Sequence, residues 1–132
     1  MHFQTVIFGE ITTNKKQLGS QGERAAITHL EKMGWEILKT NLEVPPGECD
    51  IVGRDGRTMV FVEVKTAGKN SPVPPEEEIT YQKKETLRRV ARYVISRFSE
   101  PPACRFDVIT LRYGDGSGGK LRHIENAFGG RR

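Results

Sequence analysis

Two stretches decide the fold, Gly47-Glu48-Cys49-Asp50-Ile51-Val52 and Val60-Phe61-Val62-Glu63-Val64-Lys65, with Asp55-Gly56 between them. Both are rich in strand-forming residues, and Asp-Gly is a strong two-residue turn signal, so the pair reads as a β-hairpin. With Asp55 and Gly56 as the loop, Arg54 pairs with Arg57, Asp50 falls opposite Phe61, and Glu48 falls opposite Glu63. Paired residues share a face, as do positions two apart along a strand. Glu48, Asp50, Glu63 and Lys65 therefore converge on one face, while Val60, Val62 and Val64 take the other. A loop longer or shorter by one residue would flip one strand and scatter the cluster. Charges carried into a sheet interior are costly unless paired or neutralised, so this cluster calls for a role.

Outward from the hairpin the elements alternate. Upstream, residues 3–8 read as a short strand or arm, and residues 1–13 as a segment outside the main unit. From Asn14 to Met33 the apolar residues Leu18, Ala25, Ala26, Leu30 and Met33 recur at helical steps, with Gly34 as a stop. Glu23 lies near that stripe, and helix position alone reads it as an exposed carboxylate. Trp35 to Asn41 reads as a first strand, closed by Pro45-Pro46-Gly47. Downstream, Thr66 to Pro75 is a loop, and Glu76-Glu77-Glu78 suits the positive end of a helix dipole. A helix follows over Tyr81 to Phe98, with Leu87, Val90, Ala91, Val94, Ile95 and Phe98 as its apolar stripe. Its polar face carries Lys83, Lys84, Arg88, Arg89, Arg92 and Arg97, either a solvated face or one that meets phosphates. Phe106 to Leu111 and Leu121 to Phe128 supply two further strands around a Gly-rich turn at 114–119, and residues 129–132 form a tail. One helix, three strands, one helix and two strands imply an α/β protein with a mixed five-stranded sheet flanked by helices, built from residues 14–128 as a single unit.

Composition narrows the classes. At 132 residues, 36% hydrophobic and 29% charged, the chain is long enough and apolar enough to bury a core. The net charge of +4 is a mild excess compatible with a polyanionic partner. Cys49 and Cys104 offer neither a zinc spacing nor a disulfide framework. No segment has the length and apolarity of a membrane span, and the first ten residues lack the features of a signal peptide. The expectation is a cytoplasmic protein with reduced thiols and no membrane partner.

Glu63-x-Lys65 is a frequent pattern; its context gives it weight. It lies on an apolar strand, faces an Asp across a tight hairpin, and aims at one face. That combination suits a phosphodiesterase that uses a hard divalent cation, Mg²⁺ or Mn²⁺. Two carboxylates, Asp50 and Glu63, with a backbone carbonyl are adequate ligands for Mg²⁺, which keeps several waters. Lys65 would then take the proton of the attacking water or hold it, and stabilise charge on the phosphoryl oxygens. The rival reading is a buried Asp-Lys-Glu network that only fixes the sheet.

Six blocks then carry a family resemblance: Gly22-Glu23-Arg24-Ala25-Ala26, Gly47 to Val52, Val60 to Thr66, the Lys83 helix, Arg105-Phe106-Asp107-Val108-Ile109, and His123-Ile124-Glu125-Asn126-Ala127-Phe128. In that order, from about Gly19 to Phe128, the chain resembles the YraN-type family of predicted endonucleases. The resemblance implies a restriction endonuclease-like, PD-(D/E)XK fold, similar to that of archaeal Holliday junction resolvases. It makes Asp50, Glu63 and Lys65 the nuclease triad, turns Glu23 into the helix carboxylate that completes the metal site, and makes Lys83 a supporting basic residue with Glu48 as a neighbour. Ala67 stands where such proteins often have Arg, and Cys49 where they usually have Ile or Leu. His123, on a terminal strand with no visible partner, reads as structural.

The expected function is a Mg²⁺- or Mn²⁺-dependent endonuclease acting on branched or otherwise structured DNA, with Lys84, Arg88, Arg89 and Arg92 on the nucleic acid. The sequence is silent on oligomeric state; cutting both strands of a duplex usually needs two sites, which a homodimer would supply. The alternative is a nucleic-acid-binding module on the same scaffold that does not cut.

Overall fold

The computed structural model describes residues 21–67, 79–113 and 119–130. The expected arm over 1–13, the first part of the first helix, the Thr66–Pro75 loop beyond Ala67, the three glutamates at 76–78 and the turn at 114–118 lie outside the described residues. In chain order the elements are α1 (Gln21–Lys32), β1 (Glu36–Val44), β2 (Gly47–Asp55), β3 (Thr58–Ala67), α2 (Tyr81–Ile95), β4 (Ala103–Tyr113) and β5 (Gly119–Phe128). The strands form one sheet in the order β1-β2-β3-β4-β5. Three neighbouring pairs are antiparallel, and β3 and β4 are parallel. Parallel neighbours need a long crossover, and α2 lies within that connection. This is the mixed α/β, restriction endonuclease-like architecture the sequence predicts.

α1 ends in a Schellman turn. Gly34 takes a φ of +91°, Trp35 N–H donates to the Leu30 carbonyl at 3.1 Å, and Gly34 N–H donates to that of Glu31 at 3.0 Å. Leu30 and Trp35 then pack in one buried cluster with Ala26, Ile51, Val60, Val62, Ile109 and Leu111. α2 starts at Thr80, whose side-chain oxygen accepts from Lys83 N–H at 3.0 Å. Leu87, Val90, Ala91 and Val94 close a second cluster with Leu38, Leu42, Cys49, Met59, Phe61 and Phe106. The α-helix ends at Ile95 rather than Phe98, because Arg97 and Phe98 bond three residues back and tighten the last turn.

The hairpin turn differs from expectation by one position. Asp55 pairs with Thr58 and Val52 with Phe61, so Gly56 and Arg57 form the loop. Gly56 has a φ of +62°, whereas Arg57 is not in the positive-φ region, the pattern of a type II′ turn with glycine first. Moving the loop by one position shifts the pairing by two residues, and a shift of two preserves the faces. Val60 and Val62 are buried in the α1-side cluster and Phe61 in the α2-side cluster, as the alternation requires.

Candidate active site

The ladder between β2 and β3 is regular from Asp55↔Thr58 to Ile51↔Val62. There the ladder gives way to a side chain: Asp50 Oδ2 accepts from Val64 N–H at 2.8 Å. The expected pairing of Asp50 with Phe61 is therefore not formed, and the Asp50 carboxyl is near enough to that of Glu63 for each to act on the other. Gly47 opens β2 where α2 passes overhead; a Cβ there would collide with Thr86 Cγ2. That approach brings the N-terminal turn of α2 over the site, with Lys83 Nζ 3.7 Å from Glu63 Oε1.

Burial sets the electrostatics. Glu63 is buried, and its carboxyl is pushed up to about 7, first by burial and then by the charge of Asp50. Asp50 is also raised by burial, while the Val64 amide and the Lys83 ammonium oppose that rise. A hydrogen bond between the two side chains lowers Asp50 and raises Glu63, which favours the proton on Glu63. Such an arrangement is what two like charges in one poorly solvated place require. Glu63 Oε1 is nevertheless shielded from water and takes part in no hydrogen bond. Lys65 is half-buried, and its charge favours ionised Glu63. Glu48 is exposed and adds negative charge beside Asp50.

Glu23 arrives from the first turn of α1, where Gly22 packs so closely on Thr66 that a Cβ would meet its Oγ1 at 2.5 Å. The Glu23 carboxyl is raised by burial and then by Asp50, with the nearby Asn41 amide working the other way. It is half-buried beside Asp50, and not the exposed carboxylate that helix position suggests. Asn41 is a neighbour that sequence reasoning missed; its φ of +51° inside β1 is the conformation Asn tolerates better than most residues. Among the described residues, no group of three His, Cys, Asp or Glu side chains is arranged to hold a metal by itself.

The basic stripe of α2 divides. Arg88 donates to the Gly129 carbonyl at 2.8 Å, pairs with Glu85 and lies over the Phe128 ring. Lys84 covers the same ring. Arg88 is thus committed to holding the end of β5, whereas Arg89 and Arg92 are exposed, as is Arg97 beyond the helix end. Cys49 is buried, with its thiol donating to the Ile51 carbonyl at 3.3 Å; burial pushes it far up, which makes it inert.

A second polar group was not foreseen. His123, read as having no partner, contacts Asp107 on β4 and His29 on α1. Arg105 and Asp107 stand two apart on β4, a spacing that puts both on one face; that was the available signal.

The family model described as "Uncharacterised protein family UPF0102" matches residues 22–111, a span that holds every candidate site residue. A UPF0102 protein of Geobacter metallireducens is 40% identical over 119 residues, covering 89% of this chain and 97% of the relative. Another from Thermodesulfovibrio yellowstonii is 38% identical over 112 residues, 85% of this chain and 96% of the relative. One from Caldicellulosiruptor saccharolyticus reaches 45% over 100 residues, 74% of this chain and 84% of the relative. The six motif blocks and these similarities agree, and the chain belongs to the UPF0102, or YraN, family.

Proposed function

We propose that this protein is a divalent-metal-dependent nuclease that hydrolyses DNA phosphodiester bonds, acting on branched or otherwise structured DNA. The observation that carries this reading is the Asp50–Glu63 pair: a half-buried and a buried carboxylate so close that Asp50 raises the proton affinity of Glu63, with a shielded Glu63 oxygen that takes part in no hydrogen bond. A buried acceptor left in that state costs stability. Hard carboxylate oxygens suit Mg²⁺ or Mn²⁺, and one or two of them with waters are enough for Mg²⁺. The residues present therefore fit such an ion, with Asp50 and Glu63 holding it and Glu23 adding acceptor oxygens and negative charge beside Asp50. When bound, the ion would supply charge stabilisation at the phosphoryl oxygens and a more acidic water.

The other roles belong to side chains. Lys65 would hold the attacking water, and its charge favours the ionised form of Glu63. Lys83, whose backbone N–H is capped by Thr80, offsets the negative charge of the pair. Arg89 and Arg92 are exposed for backbone phosphates, contacts that make binding salt-dependent. No described helix is long and apolar enough to cross a membrane.

The test is incubation with Mg²⁺ or Mn²⁺ and single-stranded, duplex, flap and four-way DNA. Cleavage is expected to depend on the metal and to vanish in Glu63→Ala and Lys65→Ala while folding persists. Nicking that survives both substitutions would overturn the reading. Salt-sensitive binding without any cleavage would instead identify a nucleic-acid-binding module.

A further inference from the structure

The polar group around His123 is outside the proposed active site, yet it holds the helix that delivers Glu23. At its buried end, Asp107 is fully enclosed. Its Oδ1 accepts from Arg105 Nε and from Asn126 N–H, both at 2.9 Å, and its Oδ2 lies 2.8 Å from His123 Nε2. Burial alone would raise this carboxyl, but the hydrogen bonds from His123, Arg105 and Asn126 hold it below its ordinary value. An ionised carboxylate only accepts, so His123 carries its proton on Nε2. In the neutral ring Nδ1 is then an acceptor. His29 Nε2, at 3.1 Å from that Nδ1, donates to it. For a neutral His123 the chain of donors thus runs from its buried end outward. Trp35 packs edge-on against His123, with ring centres 5.6 Å apart, and restrains the ring further.

His29 follows Glu23 by six residues, about 9 Å along the helix and about 120° around it. The fully buried apolar residues of α1, Ala26 and Leu30, fall between those two directions, flanked by the half-buried Ala25 and Ile27. Apolar packing resists separation but is non-directional, so it defines the rotation of a short helix poorly. A hydrogen bond to an immobilised ring is directional. Resting on the proposed function, we infer that the His29–His123 hydrogen bond, anchored by Asp107 and Arg105, sets the rotation of α1 and so places Glu23 beside Asp50. His29 and His123 are positioning residues for that site.

The test is a double-mutant cycle read by Mn²⁺ binding, with backbone amide exchange of α1 as a second measurement. His29→Leu is expected to weaken Mn²⁺ binding by about two- to tenfold, the span of one ordinary hydrogen bond. His29→Gln, whose amide can still donate, restores it. In a Glu23→Gln background His29→Leu adds nothing further, because it acts through Glu23. Amide exchange over residues 23–30 speeds up in His29→Leu, while β2 and β3 are unchanged. The inference is overturned if His29→Leu has the same effect with and without Glu23, if His29→Gln fails to rescue, or if α1 exchange is unaltered. Should the unmodified protein bind no Mn²⁺, the proposed function fails, and α1 exchange in His29→Leu and His29→Gln still decides whether the hydrogen bond holds the helix.

Discussion

Replacing Glu63 by Gln isolates the cost of ionising this carboxyl. The carboxyl moves from 4.5 to about 7 on folding, and its side chain is only 10% exposed. At about 1.4 kcal/mol for each tenfold change in proton affinity, that displacement is worth on the order of 3 kcal/mol. Between 4.5 and about 7 the folded protein keeps a proton that the unfolded chain has released. The metal-free protein must therefore lose stability as pH rises through this window and level off above it. Raised Asp50 acts in the same direction, and His29, lowered by burial and then by His123, acts in the opposite one below 6.5. The difference between Glu63→Gln and the unmodified protein removes the His29 contribution. The variant is expected to match the parent near pH 4 and to exceed it at pH 8 by on the order of 3 kcal/mol. With a urea slope of about 2 kcal/mol per molar, the midpoint rises by about 1 to 2 M. The assay is urea unfolding in chelator at a series of pH values, followed by repetition with Mg²⁺, which should stabilise the parent and not the variant. A constant offset at every pH, or a variant weaker than the parent at pH 8, would refute the reasoning.

Other perturbations separate the roles of neighbouring parts. Gly53→Ala puts a Cβ 2.8 Å from Trp35 Cε3, and Trp35 is hemmed in by His123 and Arg105, so a loss of about 1–3 kcal/mol is expected in denaturant unfolding. Asp107→Asn breaks a buried ion pair and should cost about 3–5 kcal/mol by the same measurement. Arg92→Ala should weaken DNA binding and reduce its salt slope by about 0.7–0.9 in titrations between 50 and 200 mM salt, where these figures come from general counterion release. Arg88→Ala should instead lower thermal stability, because its contacts are to Gly129 and Phe128.

The parts of the site that were legible in the sequence are those that depend on face and not on register. Asp50, Glu63 and Lys65 were placed together by alternation, and the misplaced turn did no harm because it moved the pairing by an even number. The turn itself was ambiguous: one glycine serves equally as the second loop residue after Asp55 or as the first before Arg57. Glu23 needed the docking of α1 on the sheet, which periodicity along one helix does not contain; only the family resemblance reached it. Arg88 had the spacing of a phosphate contact, but Phe128 and Gly129 lie about forty residues away in sequence and claim it first. The His29–His123–Asp107 group joins three elements, so no local pattern announces it beyond the Arg105-x-Asp107 alternation.

The nuclease reading rests on a divalent cation entering the Asp50–Glu63 pair and displacing its proton. Calorimetric titration with Mn²⁺ at pH 6, in two buffers of different ionisation enthalpy, counts protons released per ion bound. The account predicts binding with release of nearly one proton by the unmodified protein, and much weaker binding with none released by Glu63→Gln. Equal binding by both proteins, or binding without proton release, would contradict it.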